Sequence, residues 1–211
     1  MEHEYYMLKH KPGKFGHLKF KYKDEELYNA LIHSNNILEM SVPVEFEFNI
    51  RMGGGATLGD YHDYPPDKVM VFSSRIIGLL QSMNISNLQF IPARIYKHKP
   101  KDTFSDDYSI LHILKKIKCL DKEKSIWKAG FEGEVVGISS LVLDEKSLKN
   151  FPLNERLIFQ LDEKPHIILF HKSIAEKINL LDPKGIYFYD LATFCSGTFY
   201  LHGFGSKFEN P

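Results

Sequence analysis

A surplus of charge of either sign is missing from this chain. Its 211 residues carry 27 basic and 27 acidic side chains, a formal net charge of zero. That balance argues against a dedicated nucleic-acid binder, which needs excess cations against phosphate, although it leaves room for a local basic patch. Cysteine is scarce as well. Cys119 and Cys195 are the two in the chain, too few for a disulfide framework and wrongly spaced for a metal site. The N-terminus, MEHEYYMLKH, has no apolar stretch of the signal-peptide kind. No apolar run approaches the ~20 residues of a membrane span. These absences lead us to expect a soluble cytoplasmic protein. No low-complexity linker divides it, so residues 1–211 are expected to form one compact domain, large enough to bury a core without staples.

What is present is one pattern used twice. Residues 71–92, VFSSRIIGLLQSMNISNLQFIP, and residues 169–190, LFHKSIAEKINLLDPKGIYFYD, align without a gap. Phe72 falls on Phe170, Ile76 on Ile174, Leu80 on Ile178 and Phe90 on Phe188. Each copy opens with a short β-branched apolar run, which reads as a buried strand. Apolar residues then recur at helical spacing, Ile76, Leu80 and Met83 against Ile174, Ile178 and Leu181. A turn follows, Asp182-Pro183-Lys184-Gly185 in the second copy, and a second strand closes the unit. With the strand residues before each, the units span 69–92 and 167–190. The shared positions are core positions, so the repetition describes architecture and carries no chemistry.

Elsewhere strands dominate. Alternation at Val44, Phe46, Phe48 and Ile50 marks a clear one. Others are expected near residues 5–8, 19–23, 108–117, 135–143 and 156–161, with a helix over 24–37 and a last strand and tail after 193. The fold class is therefore α+β: a mixed β-sheet with few helices, built around two similar β-α-β units.

Candidate chemistry is thin. Gly53-Gly54-Gly55 lacks the Lys-Ser/Thr of a phosphate loop and reads as a plain loop. Asp60, His62 and Asp63 have ligand side chains but no partner spacing, and residues 60–67 read as a polar turn before Pro65-Pro66. His166 and His171 flank a buried strand, where acid–base work competes with a capping or surface role. Cys195 and His202 lie close in sequence, but only folded geometry makes a nucleophilic pair. Lys19, Lys21 and Lys23, with Lys9, Lys11, Lys14 and aromatics between them, and Lys97, His98, Lys99 and Lys101 are the best nucleic-acid signal. Against it stands an edge strand guarded by lysines.

The order of segments adds more. Residues 60–81, DYHDYPPDKVMVFSSRIIGLLQ, are followed by SILHILKKIKCLDKEKS and then by the second copy, closing at Asp190-Leu191. This order resembles a family of bacterial immunity proteins of polymorphic toxin systems, most specifically at residues 120–125. The chain has Ser73-Ser74-Arg75 where Ser-Glu-Arg is common in that family. The resemblance implies a cytoplasmic protein that binds a cognate toxin domain and occludes its active site, with no catalysis, no cofactor and no membrane. Asp121 and Ser125 match its best segment, either as side-chain-to-backbone ties or as toxin contacts. Two acidic–aromatic sets in expected loops are candidate contacts: Asp60, Tyr61, Asp63 and Tyr64, and Asp102, Phe104, Asp106, Asp107 and Tyr108. A nucleic-acid-binding protein using the basic N-terminal strand, or an uncharacterised enzyme, remains the alternative.

Overall fold

The computed structural model describes residues 4–10, 17–22, 25–49, 57–64, 69–96 and 104–191. Among them the elements run β1 (Tyr5–His10), β2 (His17–Phe20), α1 (Glu25–His33), β3 (Val44–Asn49), β4 (Tyr61–Tyr64), β5 (Val69–Ser73), α2 (Ser74–Ser82), β6 (Leu88–Tyr96), β7 (Phe104–Ile113), β8 (Lys116–Ile117), β9 (Ile126–Ala129), β10 (Val135–Ser140), α3 (Glu145–Lys149), β11 (Ile158–Leu161), β12 (Ile168–His171), α4 (Lys172–Asn179) and β13 (Ile186–Asp190). One sheet has the order β2-β3-β6-β7-β5-β4, another β13-β1-β12-β11-β8, and β9 pairs with β10 in a separate hairpin. Both large sheets are mixed, with β3–β6 and β8–β11 parallel and the other pairs antiparallel. The class is α+β with few helices, as expected from the sequence.

The two stretches that read alike both fold as strand, helix, strand. In each the two strands run parallel without touching. β7 lies antiparallel between β5 and β6, and β1 lies antiparallel between β12 and β13. The order β6-β7-β5-β4 thus matches β13-β1-β12-β11 strand for strand and direction for direction. The inserted strand follows its unit in the first case and comes from the N-terminus in the second. The gapless register extends to backbone bonds at the helix ends. Met83 N and Asn84 N donate to Leu80 O and Gln81 O at 3.2 Å each, and Leu181 N and Asp182 N donate to Ile178 O and Asn179 O at 3.0 and 2.9 Å. Asn84 and Asp182 take φ of 51° and 49°, the left-handed conformation that Asn and Asp tolerate better than other side chains with a Cβ.

Continuous apolar runs form strands buried on both faces, because successive side chains point opposite ways. Met70 and Phe72 of β5 face a central core, while Val69 and Val71 face an outer core with Leu31 of α1. Ile168 and Phe170 of β12 face the same central core, while Ile167 and Leu169 face another outer core closed by Leu148, Val135 and Ile138. Helices α2 and α4 add Ile76, Ile77 and Leu80, and Ile174 and Ile178, to the central core. Burying each such side chain contributes about 1.5–3 kcal/mol.

Several expectations are corrected. Within the polar turn expected over residues 60–67, residues 61–64 are instead β4, paired with β5 from Tyr61↔Phe72 to Tyr64↔Val69, and Tyr61 and His62 are 1% and 0% exposed, while residues 65–67 lie outside the described residues. In the second acidic–aromatic set, Phe104, Asp106, Asp107 and Tyr108 are not in a loop either, since β7 begins at Phe104. In the first place the ladder comes from β5, and the burial of Tyr61 and His62 also from Phe48 and Tyr108 elsewhere in the chain. In the second the ladder comes from β6 and β5, and Tyr108 alone of the described set is buried. Composition reveals none of this. Strand β6 continues through Pro92 to Tyr96. Pro92 lies just before pairing with β3 begins at Ala93, so the strand still has an open side where a missing N–H costs nothing. The hairpin strand β9 and helix α3 were not expected. Residues 53–55, Pro65, Pro66, Cys195, His202, the tail after 193, the second basic cluster at 97–101, Lys11, Lys14 and Lys23 lie outside the described residues.

Candidate functional site

A cleft of about 400 Å³ opens where the segment entering β4, the end of β5, the start of α2 and the middle of β7 meet the α4–β13 turn, with Asp60, Ser73, Arg75, Tyr108, Asp182 and Lys184 in its wall. Asp60 is its centre. The chain enters β4 through Gly59 and Asp60, and local backbone bonds hold that entry. Ser73 N donates to Asp60 O at 2.9 Å, and Asp60 N donates to Lys184 O at 2.7 Å. The carboxylate is saturated. Oδ1 accepts from Ser73 Oγ at 2.7 Å and Arg75 Nε at 3.3 Å, and Oδ2 accepts from Arg75 Nη2 at 2.5 Å and Lys184 N at 2.7 Å. Arg75 also donates to Leu181 O at 2.8 Å. Burial pushes the Asp60 carboxyl up, but the bonds from Arg75, the Lys184 amide and Ser73 outweigh it and hold the carboxyl below its usual range.

The neighbours of Asp60 are fixed in the same way. Tyr108 donates to Gly59 O at 2.9 Å, and Gly59 N donates to His62 Nε2 at 3.0 Å. Burial, followed by the charges of Asp60 and Asp107, pushes the Tyr108 hydroxyl up to about 12. The His62 ring packs edge-on against Phe48 at 5.6 Å and lies 5.9 Å from the Tyr108 ring. This constellation ties one sheet to the other through the α4–β13 turn. With every acceptor position on Asp60 occupied, it is a structural clamp rather than a general base.

The candidate contact residues therefore divide. Asp60, Tyr61 and Tyr108 are 7%, 1% and 8% exposed and serve the interior. Asp63 and Tyr64 lie in β4, and Asp102 lies outside the described residues. Phe104, Asp106 and Asp107 are exposed at the start of β7. There Asp106 takes two bonds from Arg94, at 2.6 and 3.0 Å, and Arg94 lies 4.5 Å over the Phe104 ring. The two acidic sets are thus not brought into one site.

Other candidates resolve into scaffold. His171 caps α4: its Nδ1 accepts from Ser173 N at 3.2 Å, the capping role weighed for it. The His166 ring sits 6.5 Å from the His33 ring. In the segment that carries the family resemblance, Asp121 accepts from Glu123 N at 3.2 Å and Lys124 N at 3.1 Å. Ser125 Oγ donates to Val142 O at 3.1 Å and accepts from Val142 N at 2.9 Å. On the basic strand, Lys19 pairs with Glu47 at 2.9 Å and Lys21 with Glu45 at 3.2 Å across β2–β3. Lys21 also lies 3.5 Å over the Tyr96 ring. Their charge is answered within the sheet. Among the described residues, no group of three His, Cys, Asp or Glu side chains is placed to hold a metal ion. Among them, too, no helix is long and apolar enough to cross a membrane.

Sequence reasoning missed Arg75 and Lys184 as partners of Asp60, and it missed the tip of the β9–β10 hairpin, where Phe131 stands wholly in solvent. A Phe near the middle of Gly130-Phe131-Glu132-Gly133 is a visible signal for an exposed turn. A family model described as an immunity protein family, Imm11, matches residues 1–193. No curated protein matches the chain.

Proposed function

The chain belongs to the immunity protein family Imm11, and from that premise we propose that it binds a cognate bacterial toxin domain in the cytoplasm and blocks it by covering its active site, without catalysis of its own. The family match across residues 1–193 carries this reading. The geometry supports it in two ways. The polar cleft is occupied by an internal clamp, which leaves Asp60 no open acceptor for acid–base work. The residues of the immunity-like segment, Asp121 and Ser125, are committed to backbone ties, which favours other, exposed side chains as the contacts. Of the acidic–aromatic candidates, the exposure of Phe104, Asp106 and Asp107 supports a contact role for them. Against the basic-strand alternative, Lys19 and Lys21 already face Glu47 and Glu45.

The test is co-expression with the C-terminal toxin domain encoded by the adjacent gene. Growth rescue together with a complex that co-purifies is the expected result. Toxicity without rescue and without binding would overturn the proposal.

A further inference from the structure

The β9–β10 hairpin stands apart from both large sheets and carries the most exposed large apolar side chain among the described residues. Phe131 at its tip is 107% exposed relative to a free residue, and Ile126 and Val136 on its strands are 65% and 42% exposed. A soluble domain gains nothing for its own stability from an aromatic ring held in water. Aromatic residues are, by contrast, enriched at the centre of protein interfaces.

The tip is also ordered rather than loose. Gly130 N donates to Glu134 O at 2.8 Å, and Gly133 N returns to Gly130 O at 3.3 Å. Glu132 N donates to Glu134 Oε2 at 2.9 Å. Gly133 has φ of +80°, open to glycine and strained for other residues. At Gly130 a Cβ would collide with the Glu134 carboxylate and stand 2.7 Å from a Val136 methyl. The base is anchored: Ile138 is fully buried in the outer core and Trp127 packs against it. Lys164 donates to Val136 O at 3.2 Å. A turn fixed this way presents Phe131 with most of the ordering cost already met. Beside the ring stand two carboxylates, Glu132 and Glu134, both exposed.

Resting on the immunity reading, we propose that the β9–β10 tip is the element that enters the toxin, with Phe131 as the anchor in an apolar pocket and Glu132 and Glu134 facing a cationic cleft around it. The charge argument selects the partner's chemistry. A two-carboxylate rim repels acidic surfaces and favours a basic site. The start of β7 is the weaker surface, because the Asp106 charge is already neutralised by Arg94 and the Phe104 ring is already covered by it.

The experiment measures association and dissociation rates of the full chain with the C-terminal toxin domain from the adjacent gene, for wild type, Phe131→Ala, Glu132→Lys and Phe104→Ala. Phe131→Ala is expected to weaken binding by about 30-fold or more, mostly by faster dissociation. Glu132→Lys is expected to slow association about threefold or more at low salt and to have less effect at high salt. Circular dichroism should be unchanged for both, since neither side chain packs inside. If wild type binds and Phe131→Ala binds equally well, or if only Phe104→Ala weakens the complex, the hairpin assignment is overturned and the immunity reading stands. Wild-type protein that fails to bind or rescue overturns the immunity reading itself, and this assignment with it. A wild-type dimer made monomeric by Phe131→Ala, with toxin affinity unchanged, would reassign the tip to self-association.

Discussion

Replacing Asp60 with Asn keeps the shape of the side chain and removes its charge, so it isolates the clamp between the sheets. In the native chain the carboxylate accepts four donors, from Ser73, Arg75 twice and the Lys184 amide. An asparagine accepts at one atom and opposes donors with its own N–H groups at the other. The amide then opposes at least one Arg75 donor, and the remaining donors lose the charge they bond to. A hydrogen bond to a charged group is worth about 1.5–3 kcal/mol. The Arg75 side chain is 47% exposed, so water refills its part of the loss and that share is discounted. The expected cost is about 2–3 kcal/mol, which for a chain of this size lowers Tm by about 5–10 °C. Urea unfolding should show a lower midpoint with an unchanged slope. The effect must also depend on pH. Asp60 has its carboxyl held below the usual range in the folded state, so its contribution is fully present above the unfolded value near ~3.9 and is lost as pH falls through the folded value. The gap between wild type and Asp60→Asn should therefore hold from pH 5 to 8 and close below pH 4. A gap under about 0.5 kcal/mol at pH 7, or one that widens in acid, would refute the clamp and its sign.

Two further outcomes follow from the half-buried His171 and the buried Cys119. Burial, together with Arg156, holds the His171 imidazole below its ordinary pKa, and its Nδ1 must be unprotonated to cap α4. Stability should therefore be full above about 6.5 and decline as pH drops from there toward the folded value. His171→Asn keeps a capping acceptor and should flatten this decline, whereas His171→Ala should cost about 1 kcal/mol at pH 7. An unchanged pH slope in His171→Asn urea melts would refute the cap. Cys119 is 2% exposed, and burial pushes its thiol up. In a Cys195→Ser background, a thiol reagent should modify Cys119 only as fast as the chain unfolds, with rates that rise steeply in urea. Immediate labelling of the native protein would contradict its burial.

The two strand–helix–strand units were legible because their signals are local. Ile76 and Leu80, like Ile174 and Ile178, recur at helical spacing and are buried in the structure on one face of α2 and α4. Strand β4 was not legible. Tyr61-His62-Asp63-Tyr64 has the composition of a turn, and the burial of Tyr61 and His62 depends on β5, Phe48, Phe72 and Tyr108. The burial of the candidate contact residues was not legible either. Acidic and aromatic residues that look alike in sequence split between an interior clamp at Asp60 and an exposed edge at Asp106.

Composition and periodicity alone determined the α+β class, the two units and the central apolar positions, since each depends on residues within a turn or a strand of one another. Only tertiary structure decided that β7 and β1 are the strands inserted into those units, and that Lys19 and Lys21 answer Glu47 and Glu45. It alone made Asp60 a partner of an amide 124 positions away and left Phe131 in solvent. Strand pairing, ion pairing and burial depend on what another part of the chain brings to the same place, and a local pattern holds no record of that.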